Sequence, residues 1–203
     1  MFSMAHSKDI AIEPSGIYKT IDVRLMNDTI KTLQRSKPKS KSRIEVVKKI
    51  TDSPENYAPP VFYLLSSVFL QEDKKDEAMF WFYAAQLRGR VDANICAEKP
   101  ARNIVDVLNE KFGPEINQYA FKDIPKLTNT VEKVLTWEEK TEYKYDRRWT
   151  NLEGLNVFTG DTNSPLSAPK EQWETIRKKT RDDYRSSFYE ALKMVDEKAL
   201  TPH

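Results

Sequence analysis

The chain has 203 residues, with 33 Lys+Arg against 31 Asp+Glu and a formal charge of +2. One domain is the expectation at that length, and the near cancellation of charge speaks against bulk nucleic acid or an anionic membrane as the main partner. Hydrophobic residues make up 39 %, enough for a sizeable core, while only five glycines weigh against hairpin-rich sheets and phosphate-cradling loops.

In chain order, residues 1–20 lack helical period and read as a flexible N-terminal segment with a short extended piece at Ile10-Ala11-Ile12. Helices are expected over about Ile21–Gln34 and Ser42–Thr51. The run from Arg35 to Arg43 between them, broken by Pro38, has no interleaved aromatics and reads as a solvated connector. Pro59-Pro60 opens a helix with Val61, Leu64, Leu65, Val68 and Phe69 on one face. The next helix, after Asp76, holds Ala78 to Ala85 and ends near Gly89. Being apolar almost all round, it should be the central one. Pro100 opens a helix through Phe112, which Gly113 ends, and Pro114 starts a short segment through Phe121. Asp123 is placed to cap a helix carrying Leu127, Val131, Val134 and Leu135. The last run, about Pro169–Leu200, puts Trp173, Ile176, Tyr184, Phe188, Ala191 and Val195 on one stripe. The expected fold is all-α: a compact bundle of about six to eight helices around the one bearing Trp81, spanning residues 21–203. A second extended piece is expected at Asn156-Val157-Phe158.

The rare residues restrict the chemistry. The two histidines, His6 and His203, sit at the chain ends, so histidine-based triads, HExxH zinc sites and di-iron bundles lose a required member. Cys96 is the only cysteine and reads as a small buried hydrophobe. No glycine loop precedes a Lys-Ser/Thr pair, and no apolar run approaches the roughly 18 residues of a membrane helix. No cofactor, metal, nucleic acid or membrane insertion is therefore expected. A cytoplasmic location is expected from the sequence as written, and a periplasmic one if Ser3-Met4-Ala5 is the end of an export signal. The acidic pairs Glu138-Glu139 and Asp182-Asp183 read as solvated helix faces, since helical neighbours point about 100° apart.

The stretch Thr141–Pro169 has the weakest helical period and reads as a long loop. It holds Tyr143, Tyr145, Asp146, Arg147, Arg148, Trp149, Asn151 and Phe158, then the turn-rich Gly160–Pro165. Long loops in compact domains are usually functional, and Tyr, Trp and Arg are the types enriched at binding hot spots. Tyr143, Tyr145, Arg147, Arg148 and Trp149 are thus the expected partner-binding residues. Trp149 and Phe158 are expected to fold inward over the bundle, and Arg147 and Arg148 to face solvent.

Residues 61–89 resemble one unit of a Sel1-type or tetratricopeptide helical repeat, with Ala78, Trp81, Ala84 and Ala85 at the spacing where paired helices touch. The unit departs from that pattern in its turn, where Gln71-Glu72-Asp73-Lys74 replaces glycines, in Gly89 falling one residue late, and in having no second copy. Similar hairpins are protein-binding. The whole chain, helical and rich in both charges, also resembles small bacterial immunity-type proteins. That resemblance implies a non-enzymatic protein that binds and neutralises a cognate toxin or secretion-system effector. The alternatives are a helical adaptor or a carboxylate-based glycan hydrolase, the latter requiring two acids about 5–10 Å apart across a cleft.

Overall fold

Residues 14–159 and 165–200 are described by the computed structural model. His6, His203, Ser3-Met4-Ala5, Ile10-Ala11-Ile12 and residues 160–164 lie outside them, as does the Val195 side chain. Among the described residues there are eight α-helices: α1 (Arg24–Arg35), α2 (Lys41–Asp52), α3 (Pro59–Gln71), α4 (Lys75–Ile95), α5 (Ile104–Ala120), α6 (Ile124–Lys140), α7 (Asn156–Thr159) and α8 (Trp173–Leu200). Pairing of the strand type is confined there to one isolated antiparallel bridge, Cys96 with Ser167. The fold is the all-α bundle that the helical periods predict.

Pro59 and Pro60 occupy the first turn of α3, where a missing N–H breaks no bond. The α3–α4 turn closes with the Lys74 N–H on the Phe69 carbonyl and Asp73 at φ 59°. Aspartate visits that left-handed region more readily than most residues, so the turn needs no glycine. Helix α4 then touches α3, α5, α6 and α8, and Met79, Phe82, Leu87 and Val91 are completely buried along it. Its apolar circumference has neighbours on every side. Phe62, Phe80, Trp81 and Trp137 meet ring to ring at 5.1–5.9 Å between α3, α4 and α6.

Several boundaries differ from the expectation. Helix α4 runs through Gly89 to Ile95. A mid-helix glycine costs about 1 kcal/mol relative to alanine, but Gly89 lies against Val105 and Pro59 and its neighbours are buried on both sides. Pro100–Asn103 is a 3-10 turn, and α5 follows as one helix that passes through Gly113 and Pro114. A Cβ at Gly113 would stand 3.1 Å from Cζ of Phe82, so this glycine serves close helix approach rather than termination. Asn156-Val157-Phe158 is helical, not extended. Arg43 is not solvated: it is 6 % exposed and donates to the Leu33 and Ser36 carbonyls and to Ser36 Oγ. Near the N-terminus, Gly16–Thr20 forms a 3-10 turn, and its Tyr18 is buried with Ile21, Val157 and Leu166.

Candidate functional site

Of the stretch expected to be a loop, residues 141–153 form a strap across the bundle. A 3-10 turn over Arg147–Glu153 buries Arg147, Trp149, Thr150 and Asn151, and ahead of it the side chains alternate, Tyr143 and Tyr145 toward the bundle, Glu142 and Lys144 toward solvent. That is the period of extended backbone. The turn starts where Asp146 accepts from the Arg148 N–H at 3.0 Å.

The inward side chains end on two buried carboxylates. Asp92, on α4, accepts from Tyr145 Oη at 2.8 Å, Arg147 Nε at 3.0 Å and Trp149 Nε1 at 2.8 Å. Glu138, on α6, accepts from Tyr143 Oη at 2.7 Å and from Arg177 Nε and Arg181 Nη1 of α8 at 2.7 and 2.8 Å. Both acids are completely buried. Burial pushes the Asp92 carboxyl above the usual range, against the opposing pull of Arg147, Trp149 and Tyr145. At Glu138 burial also pushes upward, but Arg181, Arg177 and Tyr143 together outweigh it and hold the group below its ordinary value. Glu138 is therefore not the solvated face residue its sequence neighbourhood implies, whereas its neighbour Glu139 is exposed.

The cations between these acids rest on rings. Arg88, Arg147 and Arg177 lie 4.0, 4.1 and 5.0 Å from the centre of the Tyr143 ring. Arg88 is completely buried, lies 4.8 Å from Trp137, and donates through Nη2 to the Thr141 and Glu142 carbonyls at 2.8 and 2.6 Å. Those two carbonyls begin the strap, so Arg88 pins its first residues to α4.

The expected binding residues divide accordingly. Trp149 is 1 % exposed, inward as expected, whereas Tyr143 and Tyr145, expected among the partner-binding residues, are half-buried and turned inward. Arg147 corrects the expectation of a surface role: it is 5 % exposed and paired with Asp92. Arg148 stays at the rim, where Asp146 and the Thr20 carbonyl fix it. Phe158, expected to fold inward, instead faces outward and is exposed. The residues that sequence reasoning missed are Arg88, Asp92, Glu138 and Arg177. For Arg88 and Asp92 the available signal is a charge on a helix otherwise apolar almost all round, because a buried charge requires partners; Glu138 and Arg177, on the amphipathic α6 and α8, carry no such signal.

The outer edge of the strap forms one wall of a cleft of about 870 Å³, with Asp22–Asp28 and the start of α8 as the others. Tyr145, Arg147, Arg148 and Trp149 line it; Tyr143 does not. Of its acids, Asp22 is lowered to about 2 by its hydrogen bonds with Arg24. Asp146 is raised by partial burial but lowered more by Arg148 and the Asp22 N–H. Neither holds a proton at neutral pH. Among the described residues no three His, Cys, Asp or Glu side chains are grouped to hold a metal ion, and no helix is long and apolar enough to cross a membrane. Buried Cys96 packs at 3.4 Å from Asn151 Oδ1, and burial raises its thiol.

Compared with protein families, curated proteins and solved structures, the chain matches none.

Proposed function

We propose that this is a non-enzymatic binding protein whose cleft receives a polypeptide, and that its role is the neutralisation of a cognate toxin or effector, as for immunity-type proteins. The observation that carries the reading is the strap itself. Its inward side chains are bonded to buried carboxylates, so its exposed Lys144 and the rim pair Asp146–Arg148 are presented on a fixed backbone. A preorganised surface loses little entropy on binding, and its mixture of signs selects a partner by pattern rather than by net charge. Two of the three cleft acids, Asp22 and Asp146, are held down by arginine, which speaks against either as a general acid that must keep a proton near the working pH.

Site-specific photo-crosslinking in the native host tests this. A crosslinking residue at Lys144, on the cleft wall, should capture one polypeptide that the same residue at exposed Lys111 on α5 does not. Growth of cells making that polypeptide should be restored by making this protein as well. Identical captures at both positions would remove the cleft from the account, and a harmless captured polypeptide would remove the neutralising role.

A further inference from the structure

The charges lining the cleft are unevenly engaged. Arg24 and Arg148 each spend Nε and Nη2 on both oxygens of one neighbouring carboxylate, Asp22 and Asp146, at 2.6–3.0 Å. Arg147 does not. Its Nε reaches Asp92, but its buried Nη2 has no hydrogen-bond partner among the described residues. The same guanidinium lies 5.0 Å from the ring centre of Trp173, a half-buried lining residue. Lys170, exposed on that wall, carries no ion pair among the described residues. One end of the cleft therefore holds an aromatic face, the lining Arg147 whose buried Nη2 is unbonded, and an ammonium without an ion pair. A buried donor left unbonded costs free energy until an acceptor arrives, and a guanidinium edge matches the planar oxygens of a carboxylate.

Resting on the binding-protein reading above, we infer that the cleft takes an acidic side chain of its polypeptide partner, seated against Trp173 with its carboxylate between Arg147 and Lys170. A nucleic acid is the poorer occupant. Asp22, Asp28 and Asp146 line the same cleft and would face a repeating phosphate backbone, whereas a single carboxylate meets the cationic end alone. Asp28, on the α1 side, carries no ion pair among the described residues, which gives the bound segment a preferred direction, its acid toward α8.

The test is to pan a library of random dodecapeptides on the full chain. Enriched peptides should share an Asp or Glu at one position. Replacing that residue by its amide, or Lys170 by Glu in the protein, should weaken binding about tenfold or more, the scale of one lost charge-assisted contact. Exposed Lys170→Glu should leave the melting temperature unchanged, so weakened binding reports the cleft and not the fold. Failure to enrich any peptide, enrichment without a common acid, undiminished binding to Lys170→Glu, or displacement of the peptides by a single-stranded oligonucleotide would each overturn the inference. Should crosslinking at Lys144 succeed while the peptides share no acid, the binding-protein reading stands and this one falls.

Discussion

In the α3–α4 hairpin, Phe62, Trp81 and Phe82 are removed from water by one another and by the helices around them. In the strap Thr141–Glu153, Tyr145, Arg147 and Trp149 are removed from water by a carboxylate on α4 more than fifty residues away in sequence. The first region is held by burial that depends on area and volume and tolerates reshaping. The second is held by directional bonds between charged groups, where losing one partner leaves the others buried and unmatched. Both regions are packed, but their sensitivity to substitution should differ in kind. The strap gains a fixed outer face from this arrangement, and the cleft is built on that face.

The largest expected effects come from truncating one anchor in each region. Trp81→Ala should cost about 3–5 kcal/mol through loss of packing, and Asp92→Ala about 3–5 kcal/mol through an uncompensated Arg147, both read by chemical denaturation. The conservative variants separate the mechanisms. Trp81→Phe should recover more than half of its loss; Asp92→Asn should recover less, since the amide N–H₂ replaces one carboxylate oxygen and faces either the Arg147 N–H or the Tyr145 and Trp149 donors. Equal recovery would erase the contrast drawn above.

Within the strap, neighbouring arginines should part company. Arg147→Ala should cost about 3 kcal/mol as one member of a buried pair. Arg148→Ala, at the rim and paired with Asp146, should cost under about 1 kcal/mol. Similar losses at both positions would mean that Arg147 is not a buried partner of Asp92 while Arg148 sits at the rim. A smaller effect is expected at Gly154, where a Cβ would stand 2.2 Å from Oε2 of Glu98. Gly154→Ala must displace the carboxylate that accepts from the Leu155 and Asn156 N–H groups, a loss of about 1 kcal/mol, comparable to that of a helix cap.

The mildest test is pH. Glu138 and Asp146 titrate lower in the folded chain than unfolded, so their contribution is complete above the ordinary carboxylate range of about 4 and is lost as pH falls below it. Asp92 is shifted upward and works in the opposite sense. Melting temperature should therefore hold from neutrality to about pH 5 and decline below. Glu138→Gln should flatten that decline, while Asp92→Asn should leave it at least as steep.

What the residue order made legible follows the same division. The spacing of Val61, Leu65, Val68 and Phe69 reveals the buried face of α3, because periodicity encodes burial locally. The true ends of α4 and α5 are hidden, because Gly89 and Gly113 are kept helical by Val105, Pro59 and Phe82 from other elements. In the strap, the inward turn of Trp149 was legible from its size and apolarity. Arg147 was not, since its burial depends on Asp92, which no local pattern connects to it. Alternation from Glu142 to Tyr145 was present in the order of residues, but extended backbone is not what an all-α chain leads one to seek.

Hydrogen exchange of individual backbone amides tests most directly whether the strap is a fixed wall rather than a mobile loop. The Lys144 N–H, bonded to the Glu55 carbonyl at 2.8 Å, and the buried Trp149 N–H should exchange as slowly as amides in the middle of α4, and Asp92→Ala should accelerate both selectively. If those two amides exchange in the native protein at the rate of an unstructured peptide, while α4 remains protected, the strap is not held by the buried carboxylates and the preorganised cleft does not exist.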